Sequence, residues 1–329
     1  MIDIALFGAG RIGKIHAANL VHQAGVRLKY VVDMHAHSAK ALAEMHGARV
    51  ADVDGALGDA SIGAVVIASS TNTHADLIIK AANAGKAVFC EKPVDLTIER
   101  SRESAAAVTR NGVICMIGFQ RRFDPTFAAL KTRVERGEIG DPEMLIITSR
   151  DPGAPPVEYI KSSGGIFKDM LIHDLDVFRW ILGDEAQTLH ATGSCLTDPA
   201  VQDAGDIDST AVTIRSRRGL LCQINTSRRA AYGYDQRFEV LGSKGMLQAC
   251  NVRPTEVTGW SANAVSTDVP EPFFLERYRQ AYAAEMAHFV ETLTRGTPVR
   301  TTIEDGVKAL ELAQLATLSW QKNGEALQL

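Results

Sequence analysis

Apolar runs alternate with amphipathic stretches along the first 121 residues of the chain. The runs are mostly apolar throughout, as in strands buried on both faces of a parallel sheet, and the stretches between them carry apolar residues at helical spacing. The predicted strands are IDIALFGAG, LKYVVD, ARVAD, IGAVVIASS, AVFCEK and VICMIGF, and the predicted helices are RIGKIHAANLVHQ, SAKALAEMHG, THADLIIKAANAG and LTIERSRESAAAVTRNG. This alternation predicts an α/β fold with a doubly wound parallel sheet.

The pattern changes after residue 121. A helix (DPTFAALKTRVERGEIG), a strand (EMLIITSRD) and a long helix (FKDMLIHDLDVFRWILG) precede four strand-like segments between residues 187 and 258, with hairpin signals such as SRRG and GSKG. Two helical stretches follow, and they are free to pack against the first domain. We therefore predict two domains, 1–121 and 122–329, the second an α+β domain with a largely antiparallel open sheet whose apolar face suits subunit contacts.

Composition and charge argue against several classes of function. A net charge of −4 and a pI of about 6.2 do not favour nucleic acid or an anionic membrane as a partner. The five cysteines are scattered and form no CxxC pair, which argues against a disulfide framework and a metal site. No apolar run is long enough to span a bilayer, and the chain enters a strand without a leader segment, so we expect a cytoplasmic protein.

The first strand-to-helix turn, GAGRIG, has the spacing of a dinucleotide-binding loop. Gly8, Gly10 and Gly13 would let the backbone approach a pyrophosphate at the N-terminus of the next helix. Asp33 ends the next predicted strand, 20 residues after Gly13, where a carboxylate can accept hydrogen bonds from both hydroxyls of the adenosine ribose. Because no arginine follows Asp33 to hold a 2′-phosphate, we expect NAD rather than NADP. A glycine turn that serves packing alone is the weaker alternative.

Two neighbouring predicted strands end in polar residues. SSTNTHADL follows one of them, and Glu91-Lys92-Pro93 ends the next. Both ends lie at the carboxyl edge of a parallel sheet, where ligands bind, so Lys92 is expected beside the nicotinamide end of the cofactor. Taken alone, the lysine is better explained by a solvated surface turn.

An otherwise apolar predicted helix carries Asp169, His173 and Asp176 at positions i, i+4 and i+7, on one face. Such a stripe either forms a satisfied buried network or lines a cavity. Spacing alone slightly favours the buried network, because ion networks in protein interiors are common outside active sites too.

The chain as a whole resembles the Gfo/Idh/MocA oxidoreductases, and among them the inositol dehydrogenases. The segments that carry the resemblance are GAGRIGKIHA, TNTHADL, CEKPVDL, GFQRRFDPTF, SRDPGAPPVEYIKSSGGIFKDMLIHDLDVFRW and GYDQRFEVLGSKG. It implies a Rossmann fold for residues 1–121, a cis Lys92–Pro93 peptide and a homotetramer. It also favours catalytic roles for Lys92, Asp169 and His173 over the structural alternatives given above.

The resemblance assigns roles that the chemistry supports. His173 would be the base, because imidazole titrates near neutrality; Lys92 would donate a hydrogen bond to the reacting oxygen; Asp169 would stabilise the imidazolium or hold a neighbouring group. The substrate-binding residues are expected to be Lys92, Arg121, Asp151, Asp169, His173 and Tyr234. The cofactor-binding residues are expected to be Gly8, Gly10, Arg11, Ile12, Gly13, Asp33, Ser69, Thr71, Asn72, His74, Glu91 and Lys92.

The expected activity is NAD-dependent oxidation of one ring hydroxyl of myo-inositol to a ketone. Two alternatives stay open: the same chemistry on scyllo-inositol or a pyranose such as glucose, and a non-catalytic sensor that binds NAD and a sugar. The sensor is disfavoured because Lys92 and His173 are both present. Arg121 is equally consistent with an ion pair in the seam between the predicted domains, and Gln120 stands where many relatives have asparagine.

Overall fold

The computed structural model describes residues 1–329. Its strands are β1 (Ile2–Phe7), β2 (Val26–Val32), β3 (Arg49–Val50), β4 (Ile62–Ile67), β5 (Ala87–Glu91), β6 (Cys115–Gly118), β7 (Pro142–Arg150), β8 (Ala186–Ser194), β9 (Ser209–Ser216), β10 (Leu221–Ser227), β11 (Asp235–Gly242), β12 (Gly245–Ala249), β13 (Thr258–Trp260), β14 (Val265–Thr267) and β15 (Leu327–Gln328). Its α-helices are α1 (Arg11–Leu20), α2 (Ala36–His46), α3 (Val53–Gly58), α4 (His74–Asn83), α5 (Ile98–Asn111), α6 (Pro125–Glu135), α7 (Val157–Ser163), α8 (Ile172–Leu182), α9 (Pro199–Asp203), α10 (Phe274–Arg277), α11 (Arg279–Arg295) and α12 (Ile303–Gln321).

The six apolar runs of the first third form one parallel sheet in the order β3-β2-β1-β4-β5-β6. The central strands β1, β4 and β5 are buried along almost their whole length, because helices cover both faces of the sheet. The order reverses at β1 and β4, which places the ends of β1, β4 and β5 at the edge where ligands of such sheets bind. The predicted doubly wound sheet is confirmed.

A second sheet contains seven strands in the order β12-β11-β7-β10-β9-β8-β15. All of its pairs are antiparallel except β7 with β10, which run parallel. Burial alternates strictly along β9, as in a strand with one face against the core. The predicted α+β fold with a largely antiparallel sheet is confirmed, and β13 and β14 form a separate hairpin.

The chain divides into two compact units, residues 1–123 with 280–311, and residues 124–279 with 312–329. The sequence places the boundary after residue 121 and leaves the last helices open. Helix α11 belongs to the first unit, where Met286, Phe289 and Val290 join the apolar core of the parallel sheet. No helix has both the length and the apolar character that a membrane crossing requires. Assigning substrate binding and subunit contacts to residues 122–329 stays a prediction.

Candidate active site

The glycine turn before α1 is closely packed on one side and open on the other. Gly8 has a φ of +105°, and a Cβ there would lie 2.4 Å from the carbonyl oxygen of Ala68. A Cβ on Gly13 would lie 2.0 Å from the carbonyl oxygen of Gly8, whereas one on Gly10 would meet nothing within 4 Å. Gly10 caps α1 without a side chain, so the first amides of the helix, at Arg11 and beyond, are accessible to an anion.

The carboxylate of Asp33 is held beside this turn. Its Oδ2 accepts a hydrogen bond from the Ala9 amide at 2.6 Å, and its Oδ1 accepts one from the His35 amide at 2.7 Å. Each oxygen keeps a further lone pair for a ribose hydroxyl. An accessible helix N-terminus with an oriented acid beside it fits the pyrophosphate and the adenosine ribose of NAD.

The loop after β4 is fixed by a buried histidine. The His74 ring is buried, with Nε2 at 3.1 Å from the Ser69 carbonyl oxygen and Nδ1 at 2.8 Å from the Pro93 carbonyl oxygen. Burial lowers the pKa of His74, while the two carbonyl acceptors act in the opposite direction. The side chains of Ser69 and Thr73 hydrogen-bond to each other at 2.7 Å. His74 therefore ties this loop to the segment that carries Lys92.

The segment Glu91-Lys92-Pro93 is anchored on both sides of its lysine. Glu91 turns its side chain inward, with Oε1 at 2.7 Å from Nε2 of the fully buried His16 on α1. The Lys92–Pro93 peptide is cis, as the resemblance implies, and the Pro93 carbonyl contacts His74. The two neighbours of Lys92 are thus each held by a buried histidine.

In the second unit, Asp169 and His173 lie where the helix geometry changes. Phe167–Leu171 forms one π-helical turn, and α8 begins directly after it at Ile172. Such a wider turn shifts the residues before it relative to an unbroken α-helix, and π-turns are frequent at functional sites. Asp169 and His173 remain partly accessible, whereas Asp176 is buried at 1% exposure.

Two side chains hold the Asp169 carboxylate. Tyr159 on α7 donates its hydroxyl to Oδ1 at 2.8 Å, and Nη2 of Arg228 lies 3.4 Å from Oδ2. Arg228 is 1% exposed and also faces Asp206 at 3.7 Å. Burial, and then the charge of Asp169, raise the pKa of Tyr159, so its phenol stays a hydrogen-bond donor.

Asp151, Arg228 and Tyr234 lie at one edge of the second sheet. Because β7 and β10 run parallel, Asp151 and Arg228 follow them at the same edge, and the Asp151 amide donates to the Ser227 carbonyl at 2.9 Å. Strand β11 is antiparallel to β7, so Tyr234 enters the sheet at this edge too. The charge of Asp151 also acts on Tyr159. The Tyr234 ring is buried and packs edge-on against Tyr278 at 5.8 Å.

Comparison with known proteins identifies the family of this chain. Residues 2–119 match the oxidoreductase family's NAD-binding Rossmann fold, and residues 131–329 match its C-terminal alpha/beta domain. The chain belongs to the Gfo/Idh/MocA oxidoreductase family. It is 46% identical to an inositol 2-dehydrogenase of Rhizobium meliloti over 97% of this chain and 96% of that protein. It is 43% identical to a myo-inositol 2-dehydrogenase of Thermotoga maritima, with 97% and 96% covered.

Solved structures of this family agree with the fold over its whole length. A myo-inositol dehydrogenase from Corynebacterium glutamicum superposes with a TM-score of 0.95 at 43% identity, covering 100% of this chain and 99% of that one. A scyllo-inositol dehydrogenase from Lactobacillus casei, with NAD(H) and scyllo-inositol bound, gives a TM-score of 0.93 at 31% identity and the same coverage. The family therefore includes proteins of this fold with a cofactor and a polyol in place.

The predicted site residues divide between the two units. Most of the predicted cofactor residues lie on the turn before α1, after β2 and on the loop after β4. Arg121 is buried at 2% exposure on the short helical turn Gln120–Phe123 of the first unit. Asp151, Asp169, His173 and Tyr234 all belong to the second unit, where Asp151 and Tyr234 lie at one sheet edge and Asp169 and His173 lie four residues apart. The catalytic, cofactor and substrate roles of the predicted residues stay predictions.

The sequence analysis misses three residues that hold this site: His16, Tyr159 and Arg228. His16, which the sequence analysis does not single out, carries the hydrogen bond to Glu91. Tyr159 follows the proline-rich stretch DPGAPP, and α7 begins there at Val157. Arg228 follows a predicted strand, and only the parallel pairing of β7 with β10 reveals which edge it joins.

Replacing Asp33 with serine is expected to change the cofactor preference. Losing the two ribose hydrogen bonds to a charged acceptor should weaken NAD binding by about 10- to 100-fold, and removing the negative charge should strengthen NADP binding. Titration calorimetry with each cofactor measures both effects. Asp52→Ser is the matched control, because Asp52 also accepts a backbone amide, from Gly55, but caps α3. Equal NAD affinity in Asp33→Ser and the unchanged enzyme would contradict the assignment.

Replacing Tyr159 with phenylalanine is expected to lower kcat/KM for NAD reduction with a polyol by about tenfold or more, because Asp169 loses a hydrogen bond worth about 1.5–3 kcal/mol. The same lost hydrogen bond should lower the free energy of unfolding by no more than about 1.5–3 kcal/mol, so the variant should still be folded when its kinetics are measured. Steady-state kinetics and urea unfolding test the two statements. Tyr30→Phe is the control, because its hydroxyl also contacts an aspartate, Asp59, at 3.0 Å. Similar kinetic losses in both variants would refute a specific role for Tyr159.

Proposed function

We propose that the protein oxidises one ring hydroxyl of myo-inositol to a ketone with NAD. The observation that carries this proposal is the sheet edge in the second unit, where Asp151 and Tyr234 lie and where Arg228 reaches the carboxylate of Asp169, four residues before His173. A polyol needs several fixed donors and acceptors, and the oxidation needs a base among them. The identity of 43–46% to inositol dehydrogenases over nearly the whole chain supports the same substrate class.

In the proposed reaction His173 accepts the proton of the reacting hydroxyl. The carboxylate of Asp169, fixed by Tyr159 and Arg228, stabilises the imidazolium that results. Lys92 donates a hydrogen bond to the same substrate oxygen and stabilises its developing negative charge. NAD, when bound, would supply the hydride acceptor for the carbinol carbon.

The residues of the first unit fit the proposed cofactor. The accessible amides at the start of α1 would bind the pyrophosphate, and Asp33 would bind the adenosine ribose. The loop from Ser69 to His74 and the segment around Lys92 would border the nicotinamide, because both follow strands at the carboxyl edge of the parallel sheet. The other predicted contacts, from Arg11, Ile12 and Glu91, belong to the same proposal.

The preferred epimer is a finer part of the proposal. Myo-inositol is favoured because the myo-inositol dehydrogenases compared above are 43% identical to this chain, against 40% for a scyllo-inositol 2-dehydrogenase of Bacillus subtilis and 31% for the scyllo-inositol dehydrogenase from Lactobacillus casei. The second candidate is scyllo-inositol, since that protein has the same fold and binds it together with NAD(H). A pyranose such as glucose remains a third substrate to test.

The proposal extends to location and assembly. A cytoplasmic location is supported by five free cysteines, three of them buried, since thiols persist in reducing compartments. A homotetramer is supported by the family resemblance and by the exposed apolar hairpin of β13 and β14, where Trp260 is 78% exposed.

The function is tested by the absorbance of reduced nicotinamide with NAD and then NADP, offering myo-inositol, scyllo-inositol and glucose separately. We expect NAD reduction with myo-inositol. In His173→Ala we expect at least a thousandfold lower kcat, because the group that accepts the hydroxyl proton is lost. His46→Ala, which changes a partly exposed histidine at the end of α2, should keep full activity. Turnover with scyllo-inositol or glucose alone would overturn the specificity, and NAD binding without any turnover would favour a sensor.

A further inference from the structure

Glu285 on α11 is a fully buried carboxyl group of the first unit that the proposed reaction does not use. Neither of its oxygens has a hydrogen-bond partner within the protein. A buried carboxylate without a donor is strongly unfavourable, and such groups become protonated instead. Burial first, and then the charge of Glu91, raise the pKa of Glu285 well above its usual range.

Packing places Glu285 against the anchor of Lys92. Tyr282 and Phe289, one turn before and one turn after Glu285 on the same helix face, contact the ring of His16 at 6.0 Å and the ring of Phe89 at 5.6 Å. His16 in turn contacts Phe89 at 4.9 Å. Phe89 and Glu91 are two residues apart on β5 and therefore point to the same side of the sheet. Glu285 thus faces the Glu91–His16 pair.

The carboxylate of Glu91 has little space in which to move. Its neighbour across the sheet on β6 is Gly118, and a Cβ there would lie 3.0 Å from Oε2 and 3.2 Å from Oε1. Only glycine leaves room for this carboxylate in its present position. Glu91 is therefore bounded by Gly118, by His16 and by the side of α11 that carries Glu285.

We propose that Glu285 is a positioning residue for Lys92, acting through Glu91 and His16 as an uncharged acid. The protonated carboxyl group supplies a donor beside the Glu91 carboxylate and avoids a second negative charge in the same buried space. Glu91 then stays in place, and with it the backbone from which Lys92 extends. The catalytic consequence rests on the proposed function; the protonation state does not.

Among the ionisable groups around Glu285, Glu91 is the one whose negative charge acts on it. His16 is the titratable group presented by α1, and Tyr282 and His288 lie one turn away on α11. Burial lowers the pKa of His288, which favours its neutral form. Burial also raises the pKa of the thiols of Cys90 on β5 and Cys115 on β6, so both remain uncharged.

The first test uses Glu285→Gln, which keeps the shape and removes the ionisation. The C=O stretch of a protonated carboxylic acid should appear in the infrared spectrum of the unchanged protein at neutral pH and be absent in Glu285→Gln. An unfolded glutamate loses its proton near its usual pKa, whereas the folded one keeps it, so the stability of the unchanged protein should fall as pH rises above that value. The folding equilibrium constant of Glu285→Gln relative to the unchanged protein should therefore grow by about tenfold per pH unit.

The control is Glu291→Gln on the same helix, where the side chain is 42% exposed. It should change neither the infrared band nor the pH dependence of stability. A carboxylate spectrum for Glu285 at neutral pH, or a pH-independent difference in stability, would overturn the uncharged state. Both readouts remain valid if no inositol is turned over, so they separate this proposal from the proposed function.

The second test asks whether Glu285 acts on Lys92. Glu285→Gln should keep kcat within about twofold, because the amide keeps the shape of the side chain and an uncharged donor beside Glu91. Glu285→Leu, which fills the space but donates nothing, should lower kcat by about tenfold with an unchanged Kd for NAD. Gly118→Ala, which displaces the Glu91 carboxylate from the other side, should lower kcat in the same way. Unchanged kcat in both Glu285→Leu and Gly118→Ala would show that Glu285 only fills space.

Discussion

The position of Lys92 depends on two buried histidines that hold its chain neighbours. His16 binds the side chain of Glu91, and His74 contacts the carbonyl of Pro93, so the backbone on both sides of Lys92 is tied to the interior of the parallel sheet. His16 lies on α1, and His74 follows the loop that begins at Ser69. The elements expected to bind NAD are therefore the same elements that fix the lysine. These contacts therefore link the expected position of the cofactor to the position of the lysine.

In the second unit, a hydrogen bond and an ion pair fix the side chain of Asp169. Asp169 lies on a π-helical turn, where its carboxylate meets a phenol from α7 and a buried guanidinium from the end of β10. Arg228 also faces Asp206, so one cation is shared by two acids inside the unit. Burying this cation requires partners, and the acids supply them. Asp169 and His173, four residues apart in the chain, both stay partly accessible, as the proposed base and its acid partner require.

The two units thus contribute complementary chemistry to the proposed oxidation. The first contributes a cation on a fixed backbone and the residues suited to NAD, and the second contributes a base, its acid partner and polar groups suited to a polyol. A neutral Glu285 fits this arrangement, because ionised carboxylates of Glu91 and Glu285 would repel each other in the buried space that they share. The family's two domains match residues 2–119 and 131–329, and a solved structure of a relative shares the fold over the whole chain.

The sequence by itself determined the local elements: the strands, most helices, the glycine turn with Asp33, and the place of Lys92 at the carboxyl edge of the parallel sheet. These follow from period-2 and period-3.6 patterns and from turn chemistry, which act between residues close in the chain. Only the tertiary structure decided that Glu91 meets His16, 75 positions away, that Asp169 meets Arg228, 59 positions away, and that α11 joins the first unit. The predicted unbroken helix around Asp169 likewise contains a π-turn. Such pairings depend on strand register and helix packing, because many distant partners satisfy the same local pattern and packing selects one.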